Sequence, residues 1–290
     1  METKDSNVLV SISCLTYNHE KFIAEAIEGF LMQKTNFKFE VLIGEDCSTD
    51  GTRKIVDAYQ KAHPEIIKLV TSAKNVGIKN NFNRIVDAAK GKYMAMCEGD
   101  DFWTDPYKLQ KQIDFLESHP EYIMCCHYSK IIDEKGDLLY VHPQPVSLEF
   151  GYEDVLQGNK DETATATLIY RTSLDVTHMS MQDWYINCHA PDKFLKLYAT
   201  AVTGKKIYVM PEVMSCYRKH VGGVWSMVDP REITGRMLND FNVIIKNFKY
   251  PAALKWKLLK VYGRNYLRHD IRNLQINNAF NTIKYLLLKQ

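Results

Sequence analysis

The sequence contains no apolar run near the roughly 18 residues that a membrane-crossing helix requires. Its opening, Met1-Glu2-Thr3-Lys4-Asp5, has none of the apolar core of a secretory signal. These two absences predict a cytoplasmic protein. No C-x-x-C pair occurs among the seven cysteines, which removes the commonest zinc signatures. The odd count and the adjacency of Cys125 and Cys126 argue against a disulfide framework, and Cys14, Cys97 and Cys125 sit in apolar runs that suit buried free thiols. Internal repeats and low-complexity tracts are also missing, which excludes a solenoid and a disordered linker. What remains is a chain of 290 residues, 46% hydrophobic and 25% charged, with the balance of a globular protein. That length suits one large domain, or one domain with an appendage.

The net charge of +2 conceals a split. From Arg231 to Gln290 there are 12 Lys or Arg against Glu232, Asp240 and Asp270, whereas the rest of the chain carries 25 basic and 32 acidic residues. A basic end on an acidic body points to an anionic surface or partner for the tail.

Short apolar, β-branched runs alternate with helical periodicity through the first hundred residues. "VLVSISCL" (8–15), "FEVLIG" (39–44), "IIKLVT" (66–71) and "KYMAMC" (92–97) read as strands. Between them Phe22, Ile23, Ala26, Ile27, Phe30 and Leu31 share one helical face, with Asn18 as a candidate cap. Ile55, Val56 and Tyr59 mark a second helix, and Phe82, Ile85, Val86 and Ala89 a third. This alternation predicts a doubly wound, mostly parallel α/β sheet flanked by helices. In such sheets ligands bind beyond the carboxyl ends of the strands. The segments leaving those ends are "TYNHE" (16–20), "EDCSTDGT" (45–52) and "EGDD" (98–101), which should share one crevice. Further on, a helix is expected over 106–118, a strand at "YIMCCHY", a strand over 163–171, a helix over 183–201, a strand near "KKIYVM", and two or three helices after Arg231 interrupted at Gly263.

The crowded acids Glu98, Asp100 and Asp101 behind an apolar strand are costly unless a cation neutralises them. Hard divalent ions take such carboxylates together with substrate phosphates. The alternative is a solvated acidic turn before the helix that follows Pro106.

The ordered set "SCLTYNHEKFIAEAIEGFLMQ", "FEVLIGEDCSTDGT" and "NVGIKNNFNRIVDAAKGKYMAMCEGDD" resembles the inverting family 2 glycosyltransferases of the GT-A fold. The resemblance is strong over 8–130, weaker over 160–228 and absent after about 231. It implies a glycosyltransferase domain over 1–229, with a nucleotide-sugar half to about 105 and an acceptor half from about 106. Residues 230–290 would then be a basic helical extension. It implies Mn²⁺ or Mg²⁺ as cofactor, a UDP-sugar as donor and a saccharide or lipid-linked glycan as acceptor in surface polysaccharide synthesis.

The same resemblance implies site residues. Thr16, Tyr17 and Asn18 would lie by the base, and Glu45 and Asp46 would contact base or ribose. Asn75 belongs to the Asn-x-Gly element, and Arg84 would serve the diphosphate. Many relatives carry Arg at the place of Phe82. Asp100 would reach ribose and metal, Asp101 metal and diphosphate, and Glu98 stands where the family commonly has Asp. In "SMQDWYINCHA" Asp183 would be the catalytic base, or only a helix cap. In "CYRKHVGGVWS" (216–226) His220 would be a metal ligand and Arg218 a fork on the diphosphate. The remaining histidines are assigned no role. "TATAT" (163–167) would line the acceptor side. The rival readings are a nucleotidyltransferase and a non-catalytic nucleotide-sugar-binding protein. The former lacks its Gly-rich phosphate loop in "LTYNHEK".

The tail places Lys246, Lys249, Lys255, Lys257, Lys260, Arg264, Arg268 and Arg272 among aromatics and leucines. That mixture suits an anionic bilayer surface. The competing reading is a helical cap with a solvated basic face, and no motif supports nucleic acid.

Overall fold

The β-branched opening run forms β1 (Val8–Thr16), whose residues from Val10 to Cys14 are all buried. Burial on both faces explains why this strand reads as a continuous apolar run rather than an alternation. The computed structural model describes residues 8–158, 163–223 and 228–288. The expectations on 1–7 and on Val224, Trp225 and Ser226 fall outside the described residues.

The first unit continues as α1 (Ile23–Leu31), β2 (Lys38–Glu45), α2 (Thr52–Ala62), β3 (Ile67–Thr71), α3 (Ile78–Ala88), β4 (Tyr93–Met96) and β5 (Phe102–Trp103). The second holds α4 (Lys108–Ser118), β6 (Tyr122–Asp133), β7 (Leu138–Tyr140), β8 (Leu148–Phe150), α5 (Tyr152–Gln157), β9 (Ile169–Arg171), α6 (Val176–Ser180), α7 (Asp183–Ile186), α8 (Pro191–Thr203) and β10 (Lys206–Lys219). Four helices follow: α9 (Pro230–Asn247), α10 (Ala252–Asn265), α11 (Leu267–Arg272) and α12 (Ile276–Leu288).

The strands form one sheet in the order β3-β2-β1-β4-β9-β6-β10-β5, with β7 on β6 and β8 on β10. β3, β2, β1 and β4 are parallel, so the loops after β1, β2 and β4 leave the same edge. β9 runs antiparallel between β4 and β6, and β6 and β10 are parallel. Adjacent strand residues enter opposite cores. Val41 and Ile43 join one apolar cluster with Ile23, Ile27 and Phe30 of α1, while Leu42 joins another with Ile85 and Leu197. Phe241, Ile244, Leu258 and Tyr262 of the C-terminal helices belong to that second cluster.

Four local expectations are corrected. The 163–167 stretch is not strand: Thr165–Thr167 is a 3-10 turn, and β9 begins only at Ile169. Trp103 Nε1–H donates to the Ala166 carbonyl at 2.8 Å, and the Gln112 amide donates to the Thr167 carbonyl at 3.0 Å. These side chains take ladder acceptors and curl the backbone. The single helix over 183–201 is two, α7 and α8, because Pro191 has no N–H to continue a helix and instead opens α8 at its first position. Gly263 lies inside α10, and the break comes at Tyr266. Asn18 is not the cap of α1, whose N-cap position is Phe22.

Candidate active site

Two of the three loops at the carboxyl edge, those after β1 and β2, are stitched together by their own polar side chains. The Asn18 amide N–H donates to Ser48 Oγ at 3.0 Å, and Asn18 Oδ1 accepts from the Thr49 N–H at 2.8 Å. Thr52 Oγ1 accepts from the His19 N–H, and Glu20 Oε2 from the Gly51 N–H. Asn18 and Cys47 both hold positive φ, 56° and 58°. Asn tolerates this left-handed region, whereas at Cys47 it is uncommon and marks a backbone over-determined by its surroundings. Gly99 is needed for close approach: a Cβ there would lie 2.7 Å from Thr16 Oγ1.

The acidic element is met from across the sheet by the end of β10. The Arg218 backbone N–H donates to Asp101 Oδ1 at 2.8 Å, and His220 Nε2 lies 2.9 Å from Asp100 Oδ2. His19 Nε2 lies 3.8 Å from the same oxygen. His19, Asp100 and His220 each offer one ligand atom, all within 4.8 Å of one another. His19 is therefore a site residue that sequence reasoning passed over. Its only sequence signal was its place in a strand-end loop.

Charges in the cluster are unbalanced. Burial and then the Asp100 and Glu98 charges push the Asp101 carboxyl well above its usual range, and its Oδ2 is buried with no hydrogen-bond partner. Burial, Asp100 and Asp192 raise Glu98 to about 8, against a hydrogen bond from Thr165. Burial would raise Asp100 as well, but the His220 hydrogen bond and the His19 and His220 charges hold it below the carboxylate range. The Asp100 hydrogen bond raises His220 despite its burial, while burial dominates at His19 and lowers it. His220 Nδ1 lies 2.9 Å from the Val221 carbonyl; donating its N–H to that oxygen leaves Nε2 to face the acid.

The other expected residues fall as follows. Thr16 is 3% exposed with a partnerless buried hydroxyl, and Tyr17 is exposed. Both oxygens of Asp46 accept backbone N–H groups, from Val76 at 2.9 Å and Gly77 at 2.8 Å, so Asp46 ties down the loop that contains Asn75. Glu45 Oε1 accepts from the Ser48 N–H, and its Oε2 faces Arg53 at 3.6 Å. Arg84 donates to Asn81 Oδ1, and its Nε and Nη1 are buried without partners.

Arg218 departs from its expected role. Its side chain is 5% exposed, ion-paired with Glu25, bonded to the Asp100 carbonyl at 3.2 Å and sandwiched near Phe22 and Phe102. The guanidinium is spent on tying β10 to the acidic turn rather than facing a ligand.

Asp183 is exposed in the first turn of the four-residue α7. Its neighbour Trp184 packs on Phe194 and Phe248 at 5.3 and 5.0 Å between ring centres, a core role. Asp192, half-buried in the first turn of α8, is the acid of this segment whose charge bears on Glu98. The Thr165 hydroxyl bonds Glu98 from the 3-10 turn, so 163–167 does reach the acidic element although it is no strand.

A family model described as Glycosyl transferase family 2 matches residues 11–177. An uncharacterized protein of Mycobacterium tuberculosis is 35% identical over 220 residues, which cover 74% of this chain and 60% of that protein. The chain is thus matched to less than two thirds of this relative's length. Among solved structures, Staphylococcus aureus TarS in complex with UDP-GlcNAc superposes with a TM-score of 0.65 at 22% identity, covering 89% of this chain and 73% of that one. The mannosyltransferase PcManGT of Pyrobaculum calidifontis, in complex with GDP-Man and Mn²⁺, gives 0.61 at 15% identity, over 98% and 86%. These superpositions establish a shared GT-A fold. With the family match running over more than half of its length, the chain belongs to glycosyl transferase family 2.

Proposed function

We propose that the protein transfers a sugar from a UDP-sugar to a saccharide hydroxyl with inversion, using a divalent ion that Asp100, His220 and His19 would hold with Asp101 completing the set. The observation that carries this reading is the convergence of two imidazole nitrogens on one carboxylate beside the orphaned Asp101 Oδ2. The donor set fits a metal. One carboxylate oxygen and two imidazoles suit Mn²⁺ better than Mg²⁺, which prefers oxygen alone. When bound, such an ion supplies charge stabilisation for a departing diphosphate. Thr16, Tyr17, Asn18, Glu45, Asp46 and Asn75 form the rim on which base and ribose would rest. Arg84 has two unspent donors for an anion near β2.

The base in this proposal is an acid of the 183–192 segment, and Asp192 is preferred to Asp183. Its charge is felt at Glu98, at the end of β4, whereas Asp183 is exposed on α7. The carboxylate would take the acceptor hydroxyl proton as that oxygen attacks the anomeric carbon. The bond from that carbon to the diphosphate oxygen breaks on the opposite face, and the electron pair leaves with UDP.

Residues 1–229 are proposed as the transferase unit and 230–290 as its extension. For the extension we propose an anionic lipid surface, where a lipid-linked acceptor would be presented. No helix among the described residues is long and apolar enough to cross a membrane. Leu254, Leu258 and Tyr262 of α10 face the core, which leaves Trp256, Lys260 and Arg264 on its outer side. Phe280, Leu287 and Leu288 of α12 are also exposed, beside exposed Lys284.

A thermal-shift panel of UDP-, GDP- and dTDP-sugars, each with Mn²⁺, Mg²⁺ or chelator, tests the donor and metal together. The expected result is a rise in the unfolding temperature with UDP-sugars that chelator abolishes. A rise confined to GDP-sugars would refute the donor, and a chelator-insensitive rise would refute the metal.

A further inference from the structure

The loop between α7 and α8 has no regular structure, yet it is held from two sides. From α3, the Lys79 ammonium donates to the carbonyls of Tyr185, Ile186 and Cys188 at 2.6, 2.7 and 3.3 Å. From α9, fifty positions down the chain, Asp240 takes the other edge. Its Oδ1 accepts the His189 backbone N–H at 2.8 Å and lies 3.1 Å from His189 Nδ1, and its Oδ2 accepts the Ala190 N–H at 3.0 Å. The preceding residue, Asn239, donates to the Asn187 carbonyl at 2.8 Å.

We propose that Asp240 is a positioning residue for catalysis: a carboxylate of the C-terminal extension that fixes the start of α8 and with it the Asp192 carboxylate in the first turn of that helix. The inference rests on the reading of Asp192 as the base. The physical argument starts at the helix end. The N-cap residue of α8 is Ala190, which has no side-chain oxygen to cap it, and the first helical residue is Pro191, which has no N–H. The entry angle of α8 is therefore not fixed from within the helix. Asp240 fixes it from outside: it accepts the last backbone donors before Pro191 and brings negative charge to the helix N-terminus. Asp240 is 2% exposed, so water does not compete for these donors. Asp192 sits two residues past the clamped Ala190. A shift of the clamp displaces its carboxylate directly, and a misplacement of about 1 Å can cost about 10²-fold in rate.

The inference gives the extension a catalytic purpose separate from any surface it contacts. It also changes what truncation should do. A chain ending near Asp229 loses Asp240, and with it the hold on His189 and Ala190.

Hydrogen–deuterium exchange on the full chain, resolved to single amides, tests the clamp without any ligand. In the wild type, the His189 and Ala190 amides are expected to be protected despite lying in a loop. In Asp240→Asn they should exchange at least about 10-fold faster while β1 and β4 are unchanged, as expected for local opening. Turnover, with the nucleotide sugar that gives the largest shift in the panel above, should fall about 10²-fold with donor affinity unchanged. Asp192→Asn and Asp192→Asn/Asp240→Asn should be equally slow, because Asp240 acts through Asp192. Unprotected wild-type amides at 189 and 190 would overturn the proposal even if no Asp240 variant folds. So would a double variant slower than Asp192→Asn, or a donor affinity that falls in step with the rate. Full turnover in Asp192→Asn would instead remove the base assignment, whatever the exchange shows.

Discussion

His220 Nε2 and Asp100 Oδ2 lie 2.9 Å apart although 120 positions separate them in the chain. The contact closes the acidic turn after β4 against the end of β10, and Phe22 seats the imidazole from the other side at 4.7 Å between ring centres. A buried imidazole facing a carboxylate is the arrangement a metal would take over by replacing the shared proton.

Removing the cluster's free oxygen should expose the metal dependence. Asp101→Asn keeps the shape and the acceptor for the Arg218 N–H. It is expected to abolish Mn²⁺-dependent UDP binding with little change in unfolding temperature. Calorimetric titration of UDP with and without Mn²⁺ reads this directly, and wild-type affinity in the variant would take Asp101 out of the ion's reach.

The two candidate bases separate by substitution. Asp192→Asn should lose about 10²–10⁴-fold in turnover, the usual worth of a general base, while Asp183→Asn should stay within a few-fold of wild type. The reverse pattern would restore the exposed Asp183 to the reaction.

Lys108 sets a pH dependence of stability that has nothing to do with the site. Its ammonium is fully buried, has no hydrogen-bond partner and lies 4.0 Å from the centre of the Trp103 ring. Burial lowers its pKa from 10.5 to about 7. The ring contact favours the charged form by about 2 kcal/mol, yet the pKa falls, so desolvation wins. Between about pH 7 and 10.5 the unfolded chain binds a proton that the folded chain does not, so stability rises with pH across that window. Below pH 7 the lysine is charged in both states and the full penalty applies. Lys108→Met should therefore be more stable than wild type at pH 6, by a few kcal/mol as an order of magnitude, and the gain should shrink toward pH 10. Denaturant melts at pH 6, 8 and 10 check it; a constant difference would show that Lys108 does not titrate.

Lipid attachment is best tested without truncation, since Leu254, Leu258 and Tyr262 are part of the core. Charge reversal of the exposed Lys257, Lys260 and Arg264 should leave the fold intact. Each basic residue near an anionic surface contributes about 1 kcal/mol. The triple variant is expected to stop floating with anionic vesicles at low salt, whereas wild type floats there and releases at high salt. Flotation of both alike would leave the helices as a packing cap alone.

The first hundred residues were legible because their information is local. Strand and helix periods, and the polar segments that follow β1, β2 and β4, can be counted along the chain. A parallel sheet then forces those segments to one edge. The same counting failed at 163–167, where Trp103 and Gln112 take the carbonyls that a strand would have offered.

What the sequence by itself determined is the α/β alternation, the strand-end loops and the acid-rich turn, because each depends on neighbours within a few residues. Tertiary structure alone decided which groups meet there. His19 looked idle in its loop, yet the fold sets it against the Asp100 oxygen to which the end of β10 also brings His220. Arg218 looked like a ligand for diphosphate, and burial against Glu25, Phe22 and Phe102 consumed it. Asp192 gained its place from a helix start that Asp240 holds from fifty positions away. Such long-range hydrogen bonds leave no periodic trace in the chain, and they set the position and protonation of the groups on which the chemistry depends.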